Sequence, residues 1–299
     1  MTATEKAICF QCNGSPLVGI LHRPEHPART GVVIVDAGGP QYRVGVARQL
    51  VQWARTLAEG GVAVLRFDYR GFGDSGGPYL GFEHIDDDIR AAVDVLNGEL
   101  PGLEEIVLWG ECNAASAILM YAWRDQRVKR LVLQNPWVRS EETQARTYIR
   151  HYYWYRLRQR SFWRKLLHFE FNPVESLQSL FGLLRKSRAG TGYDEQSVEK
   201  PDIDPDLPYQ VRMREGLGRF DGEILLFMSG RSLIGRELDE AVAGSERWKE
   251  VVSGSRIERV EMKEADHTFS RSTERRYLIE RALSWLAGGE TGSRGSGDE

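Results

Sequence analysis

The stretch Ile106-Val107-Leu108-Trp109-Gly110-Glu111-Cys112-Asn113-Ala114-Ala115-Ser116-Ala117 is an apolar run that stops at Gly-x-Cys-x-Ala and resumes as a helix-forming segment. It predicts a strand, a sharp turn and a helix. On such a turn the central side chain stands above the sheet edge, and the residues two positions away must be small because backbone segments close in on each other. Gly110 and Ala114 meet that need. Cys112 then holds the place of a nucleophile, and a thiol ionises near neutral pH where a cation or a helix N-terminus stabilises the thiolate. A lone cysteine is more often an inert core residue. The five-residue pattern, with a strand before it and a helix after it, favours the nucleophile.

Working outward from this turn, short β-branched apolar runs alternate with longer amphipathic segments, the order of a mostly parallel, doubly wound α/β sheet with helices on both faces. Ala7 to Cys12 and Leu17 to Leu21, separated by Asn13-Gly14-Ser15-Pro16, read as an opening hairpin. Gly31 to Val35, Val62 to Phe67, Ile106 to Trp109, Arg130 to Leu133, Ile224 to Met228 and Ile257 to Met262 read as the later strands. Val44 to Glu59, Glu83 to Leu96, Ala114 to Trp123 and Thr273 to Leu286 carry helical periodicity.

The alternation breaks between Asn135 and Phe220, a separation far longer than a crossover needs. An inserted helical cap accounts for it. Residues 1–135 and 221–287 are then the core, 136–220 the cap and 288–299 a disordered tail. From Thr147 to Phe169 the cap is aromatic and basic, with no carboxylate. A helix pair with a solvated basic face explains this composition, and a lid that receives an anionic substrate or carrier is the sharper reading. Lys186 to Pro208, rich in Gly, Ser, Asp and Pro, reads as a mobile loop.

The 299 residues are 41% hydrophobic and 28% charged, with a formal net charge of -3, an ordinary globular balance that gives no reason to expect nucleic acid. The N-terminal residues lack the pattern of a signal peptide, and no apolar run approaches the roughly eighteen residues of a membrane span, so a cytoplasmic protein without membrane insertion is expected. Only three cysteines are present, which fits a reducing compartment. Cys9-Phe10-Gln11-Cys12 has C-x-x-C spacing but neither the helix of a redox site nor the second ligand pair of a zinc site. Asp86-Asp87-Asp88 suits the first turn of a helix better than a metal. No metal or other cofactor is expected, and oligomeric state is not legible.

Among six histidines, His267 in Glu264-Ala265-Asp266-His267-Thr268-Phe269 follows the last strand and lies at the sheet edge where Cys112 emerges, which makes it the candidate base. His22, His26, His84, His151 and His168 are assigned structural roles. An oxyanion needs fixed N–H donors. Asn113, at a helix N-terminus, supplies one, and Gly39 or Gln41, flanking Pro40, the second.

The elbow Gly110-x-Cys112-x-Ala114, the loop Asp68-Tyr69-Arg70-Gly71-Phe72-Gly73-Asp74-Ser75 and the late His267 together resemble the α/β-hydrolase fold. Gly38-Gly39-Pro40-Gln41-Tyr42-Arg43-Val44-Gly45, Arg66-Phe67-Asp68-Tyr69-Arg70-Gly71, Asn135-Pro136-Trp137-Val138-Arg139 and Ala265-Asp266-His267-Thr268-Phe269 resemble, more narrowly, the exosortase A system-associated hydrolases of type 1. The resemblance covers most of residues 15–286. It implies a bacterial cytosolic hydrolase encoded near exopolysaccharide and protein-sorting functions, commonly with a cysteine nucleophile; the substrate is not implied. Tyr42, Arg43 and Trp137, from the same motifs, are the candidate substrate contacts.

One departure stands out. The triad acid of the fold usually follows the seventh strand, where this chain has Ser229-Gly230-Arg231-Ser232-Leu233-Ile234, with Ser232 in the carboxylate's place. Glu237 substitutes from the next turn, or the site is a dyad, or Asp239 serves. A thiolate beside charged His267 makes the loss tolerable. The expected activity is hydrolysis of an ester or thioester, such as one on an anionic carrier, through a Cys112 acyl-enzyme. Acyl transfer to a sugar or protein acceptor and non-catalytic binding are the alternatives.

Overall fold

The computed structural model describes residues 3–37, 42–139 and 202–288. They form one eight-stranded sheet built from β1 (Thr4–Cys12), β2 (Ser15–Arg23), β3 (Thr30–Val35), β4 (Ala63–Asp68), β5 (Glu105–Glu111), β6 (Val128–Gln134), β7 (Glu223–Ser229) and β8 (Ile257–Met262), in the order β1-β2-β4-β3-β5-β6-β7-β8. Only the pairs β1/β2 and β2/β4 are antiparallel; from β4 to β8 every ladder is parallel. Seven of the eight apolar runs read as strands lie within one of these, and the eighth, Val62 to Phe67, starts one residue before β4. The chemistry of the sequence explains the layering: β3 and β4 are buried at nearly every position because helices cover both of their faces, while β1 alternates from Ala7 on. That alternation leaves Cys9 exposed and Cys12 buried, so both thiols are free and point to opposite faces.

The helices are α1 (Gln49–Glu59), α2 (Asp86–Glu99), α3 (Asn113–Tyr121), α4 (Tyr209–Arg219), α5 (Leu233–Gly244), α6 (Glu246–Val252) and α7 (Ser272–Leu286). One sheet face packs Leu65, Phe67, Leu108 and Leu133 against Ile89, Val93 and Ile118 of α2 and α3. The other packs Val32, Val64, Trp109 and Phe227 against Trp53 and Leu57 of α1 and Leu278 and Trp285 of α7. The first helix begins later than its periodicity suggests. Residues 42–48 form two short 3-10 turns, with Ala47 and Arg48 in the left-handed region, because the Arg43 side chain is tied to Asp68 and Asp74.

Most of the segment read as a cap, 140–201, lies outside the described residues, as do the predicted tail from residue 289 and most of the loop read over Lys186 to Pro208. The far end of the cap is different. Helix α4 buries Met213 and Leu217 in the same core as α3, and a methyl group on Gly216 would run into the Leu119 carbonyl oxygen. This stretch is a helix packed in the core and leading into β7. Helices α5 and α6 went unread because their starts are marked by single serines: Ser232 Oγ accepts from Gly235 N at 3.2 Å and Ser245 Oγ from Trp248 N at 3.4 Å. Among the described residues no helix is long and apolar enough to cross a membrane.

Candidate active site

Cys112 is the hinge between β5 and α3, with φ 54° and ψ -122°, a conformation that costs a side-chain-bearing residue roughly 1–3 kcal/mol. Neighbours hold it there. Its N–H donates to the Gln134 carbonyl (2.8 Å), and its carbonyl accepts from Ser116 N (3.3 Å) and Trp137 N (3.2 Å). Ser116 Oγ donates in turn to the Trp137 carbonyl at 2.6 Å. A Cβ on Gly110 would stand 2.6 Å from Ile118 Cδ1 and 2.9 Å from the Ala114 carbonyl carbon, which is why the turn tolerates only hydrogen there.

The parallel order β5-β6-β7-β8 brings four successive loops to one edge: Cys112 follows β5, Asn135 follows β6, Ser232 follows β7 and His267 follows β8. His267 Nδ1 lies 3.0 Å from Ser232 Oγ. With Nδ1 protonated, Ser232 Oγ accepts from both the imidazole and Gly235 N–H, leaving the Nε2 lone pair to act as a base. Asn135 ties the loops together. Fully buried and at φ 43°, it donates from Nδ2 to the His267 carbonyl (2.8 Å) and accepts at Oδ1 from Ser229 N (2.9 Å) and Ser229 Oγ (3.0 Å). It was quoted in a motif but given no role. Its left-handed φ, to which Asn is suited, was the available signal.

Neither carboxylate proposed from sequence reaches the imidazole. Glu237 is buried in α5 and accepts from Arg139 Nε at 3.2 Å, while its Oε2 has no hydrogen-bond partner. Asp239 pairs with Arg259 at 2.7 Å. Both carboxylates pair with arginines, and the Nδ1 partner is the serine itself. Among the described residues no hydrogen bond joins the Cys112 thiol to His267.

The electrostatics correct a second expectation. Burial pushes the Cys112 thiol up to about 12, opposed by the Asn113 N–H and by Arg139 and reinforced by Glu111 and Glu237. Burial also draws His267 below its usual range, with Asp266 opposing. Both shifts favour the neutral thiol and the neutral imidazole over a thiolate beside a charged histidine. Two carboxyls flank the elbow. Burial raises Asp36, at the end of β3, to about 8 and Glu111, bonded to Gln49 Nε2 at 3.0 Å, to about 7.

Of the remaining predicted residues, Asn113 opens α3 with its N–H beside the thiol. Gly39 and Gln41 lie outside the described residues. Tyr42 is exposed. Arg43 is committed elsewhere: its N–H donates to Asp68 Oδ1 at 2.8 Å and its guanidinium pairs with Asp68 and Asp74, which fixes the loop and leaves little for a substrate. Trp137 lies under the Arg139 guanidinium, 5.0 Å from its ring centre. The acidic run at the start of α2 is likewise engaged, Asp88 with Arg70 (2.8 Å) and Asp86 with Arg124 (2.8 Å).

A mostly parallel sheet with helices on both faces and a strained elbow after β5 is the α/β-hydrolase fold. The sequence family described as "Serine aminopeptidase, S33" matches residues 43–178. No curated protein matches the chain. Among solved structures it is similar to a Pyrococcus furiosus esterase, at 16% identity and a TM-score of 0.62 over 96% of this chain and 91% of that one. It is also similar to an α/β serine hydrolase homologue from Coxiella burnetii, at 17% identity and a TM-score of 0.56 over 96% and 98%. Est1E from Butyrivibrio proteoclasticus, solved with ferulic acid bound, has 17% identity and a TM-score of 0.57 over 94% and 100%.

Proposed function

We propose that this protein hydrolyses a carboxylic ester or thioester through an acyl-enzyme on Cys112. The observation that carries the reading is the Cys112 backbone: a strained conformation at the mouth of α3, held by three flanking segments, is what presents a nucleophile. Esterases among the similar folds support the reaction class. In the reaction, Cys112 Sγ bonds to the substrate carbonyl carbon while its proton passes to His267 Nε2. The carbonyl oxygen becomes an oxyanion at the Asn113 N–H, joined by that of Gly39 or Gln41. As the carbonyl reforms, the bond to the leaving alcohol or thiol breaks, and that group takes the proton from His267. Water, deprotonated by His267, then releases the acid and regenerates the thiol.

Proton transfer concerted with attack suits a thiol that is not ionised beforehand. Sulfur still needs less help than a serine hydroxyl would. An association with exopolysaccharide and protein-sorting systems rests on the motif resemblance alone.

Ser232 and the high thiol pKa favour one second reading, a hydrolase fold that binds an acyl compound without turning it over. Intact-mass spectrometry during turnover of activated esters and thioesters separates the two. One acyl group should appear on the wild-type chain, none on Cys112→Ala, and acylation should slow roughly 100-fold or more in His267→Ala. A wild-type chain that neither gains mass nor releases product would sink the catalytic reading.

A further inference from the structure

Arg139 was not singled out from sequence, yet its surroundings are built. Trp137 donates its N–H to the Cys112 carbonyl at 3.2 Å, so the segment carrying Arg139 lies against the elbow. Val138, beside Arg139, is buried. The Arg139 carbonyl is held twice from α4, by Tyr209 Oη and Gln210 Nε2, both at 2.9 Å. Its guanidinium rests over the Trp137 ring and donates through Nε to Glu237 Oε1 at 3.2 Å.

The pairing is incomplete in an informative way. A buried carboxylate is best compensated by a two-pronged guanidinium contact. Here Glu237, 2% exposed, receives one prong and its Oε2 receives nothing. Among the described residues Nη1 and Nη2 of Arg139 make no hydrogen bond, and the side chain is 37% exposed. One edge of the guanidinium is therefore anchored while the other, with its parallel donors, is open.

We propose that Arg139 binds an anionic group, a carboxylate or a phosphate, on the molecule whose carbonyl Cys112 attacks, with Glu237 holding the guanidinium in place. The proposal rests on the reading of Cys112 as the nucleophile and narrows its substrate class. An anion on the Nη edge shares the guanidinium with Glu237 rather than taking it, so the buried carboxylate keeps its counter-charge. An outright exchange of partners would leave Glu237 buried and alone.

Two measurements test it. In the first, kcat/KM is compared for aryl esters of matched length ending in a methyl group, a carboxylate or a phosphate. The ratio of the better anionic ester to the neutral one should exceed ten in the wild type. It should fall at least tenfold in Arg139→Gln and less in Arg139→Lys, which keeps the charge but loses the fork. A wild-type ratio near one, or one that Arg139→Gln does not lower, overturns the proposal. The second needs no turnover, so it separates failure of the anion site from failure of the hydrolase reading. Calorimetric titration with glutarate and with inorganic phosphate should detect binding of at least one, weakened tenfold or more in Arg139→Gln, and which one binds tells carboxylate from phosphate. Binding of neither, or equal binding to the variant, overturns the site.

Discussion

Ser232 sits where a carboxylate would normally orient the base, and its contact with His267 Nδ1 gives a direct way to ask what that carboxylate is worth. Replacing Ser232 with Asp keeps a side chain able to cap α5 and puts a negative charge on the imidazole. Acylation should accelerate about tenfold or more in Ser232→Asp and slow roughly fivefold in Ser232→Ala, the worth of about one hydrogen bond. A pH profile distinguishes orientation from mere packing. In the proposed mechanism His267 is the base, and burial holds it below its usual range, so the wild-type acid limb should lie below 6.5. The new carboxylate stabilises the imidazolium and so should move the limb upward. A limb that stays put in Ser232→Asp would mean that residue 232 does not communicate with the base.

At the scale of elements, the strands were legible because β-branched and apolar residues cluster in runs bounded by turn residues, and the elbow because small residues flank Cys112. Helices α5 and α6 were not, since their starts are marked only by the isolated serines 232 and 245 and α6 is a mere seven residues long. The division of labour between Arg43 and Arg139 was also hidden. Both stand in polar motifs, and only the folded chain reveals that Asp68 and Asp74 consume the first while Glu237 engages one edge of the second. The crossing of α4 over α3 carries its own prediction. Alanine at Gly216 gains helix propensity worth about 1 kcal/mol but must displace the Leu119 carbonyl. The net effect in Gly216→Ala should be a loss of about 1–3 kcal/mol, read from the urea midpoint. A neutral or stabilised variant would place α4 farther from α3.

Taken as a whole, the molecule carries an electrostatic load at its site that sequence could not disclose, because burial is a property of the fold. The same burial weighs against a standing thiolate at Cys112. Asp36 ionises near 8 in the folded chain against a reference of 3.8, so the folded state holds its proton more tightly and stability declines as pH climbs through that interval. His22, pushed down to about 4 by burial and the nearby Arg66, acts in the opposite sense, its contribution being lost as pH falls from 6.5 toward 4. Comparing variants isolates the first effect. The melting temperature of Asp36→Asn should match wild type near pH 4 and exceed it progressively up to pH 8, by roughly 5 °C or more. A gap that does not widen with pH would mean that Asp36 is not held protonated.

The strand order has a consequence for how the site comes into being. Cys112 follows the fifth strand, whereas His267 follows the eighth, which docks outside β7 at the far edge of the sheet. A chain emerging from the ribosome completes the elbow long before it has a histidine to serve it, and Asn135 waits for the His267 carbonyl until the last parallel strand is in place. Vectorial synthesis thus separates the making of the elbow from the arrival of the imidazole proposed to serve it.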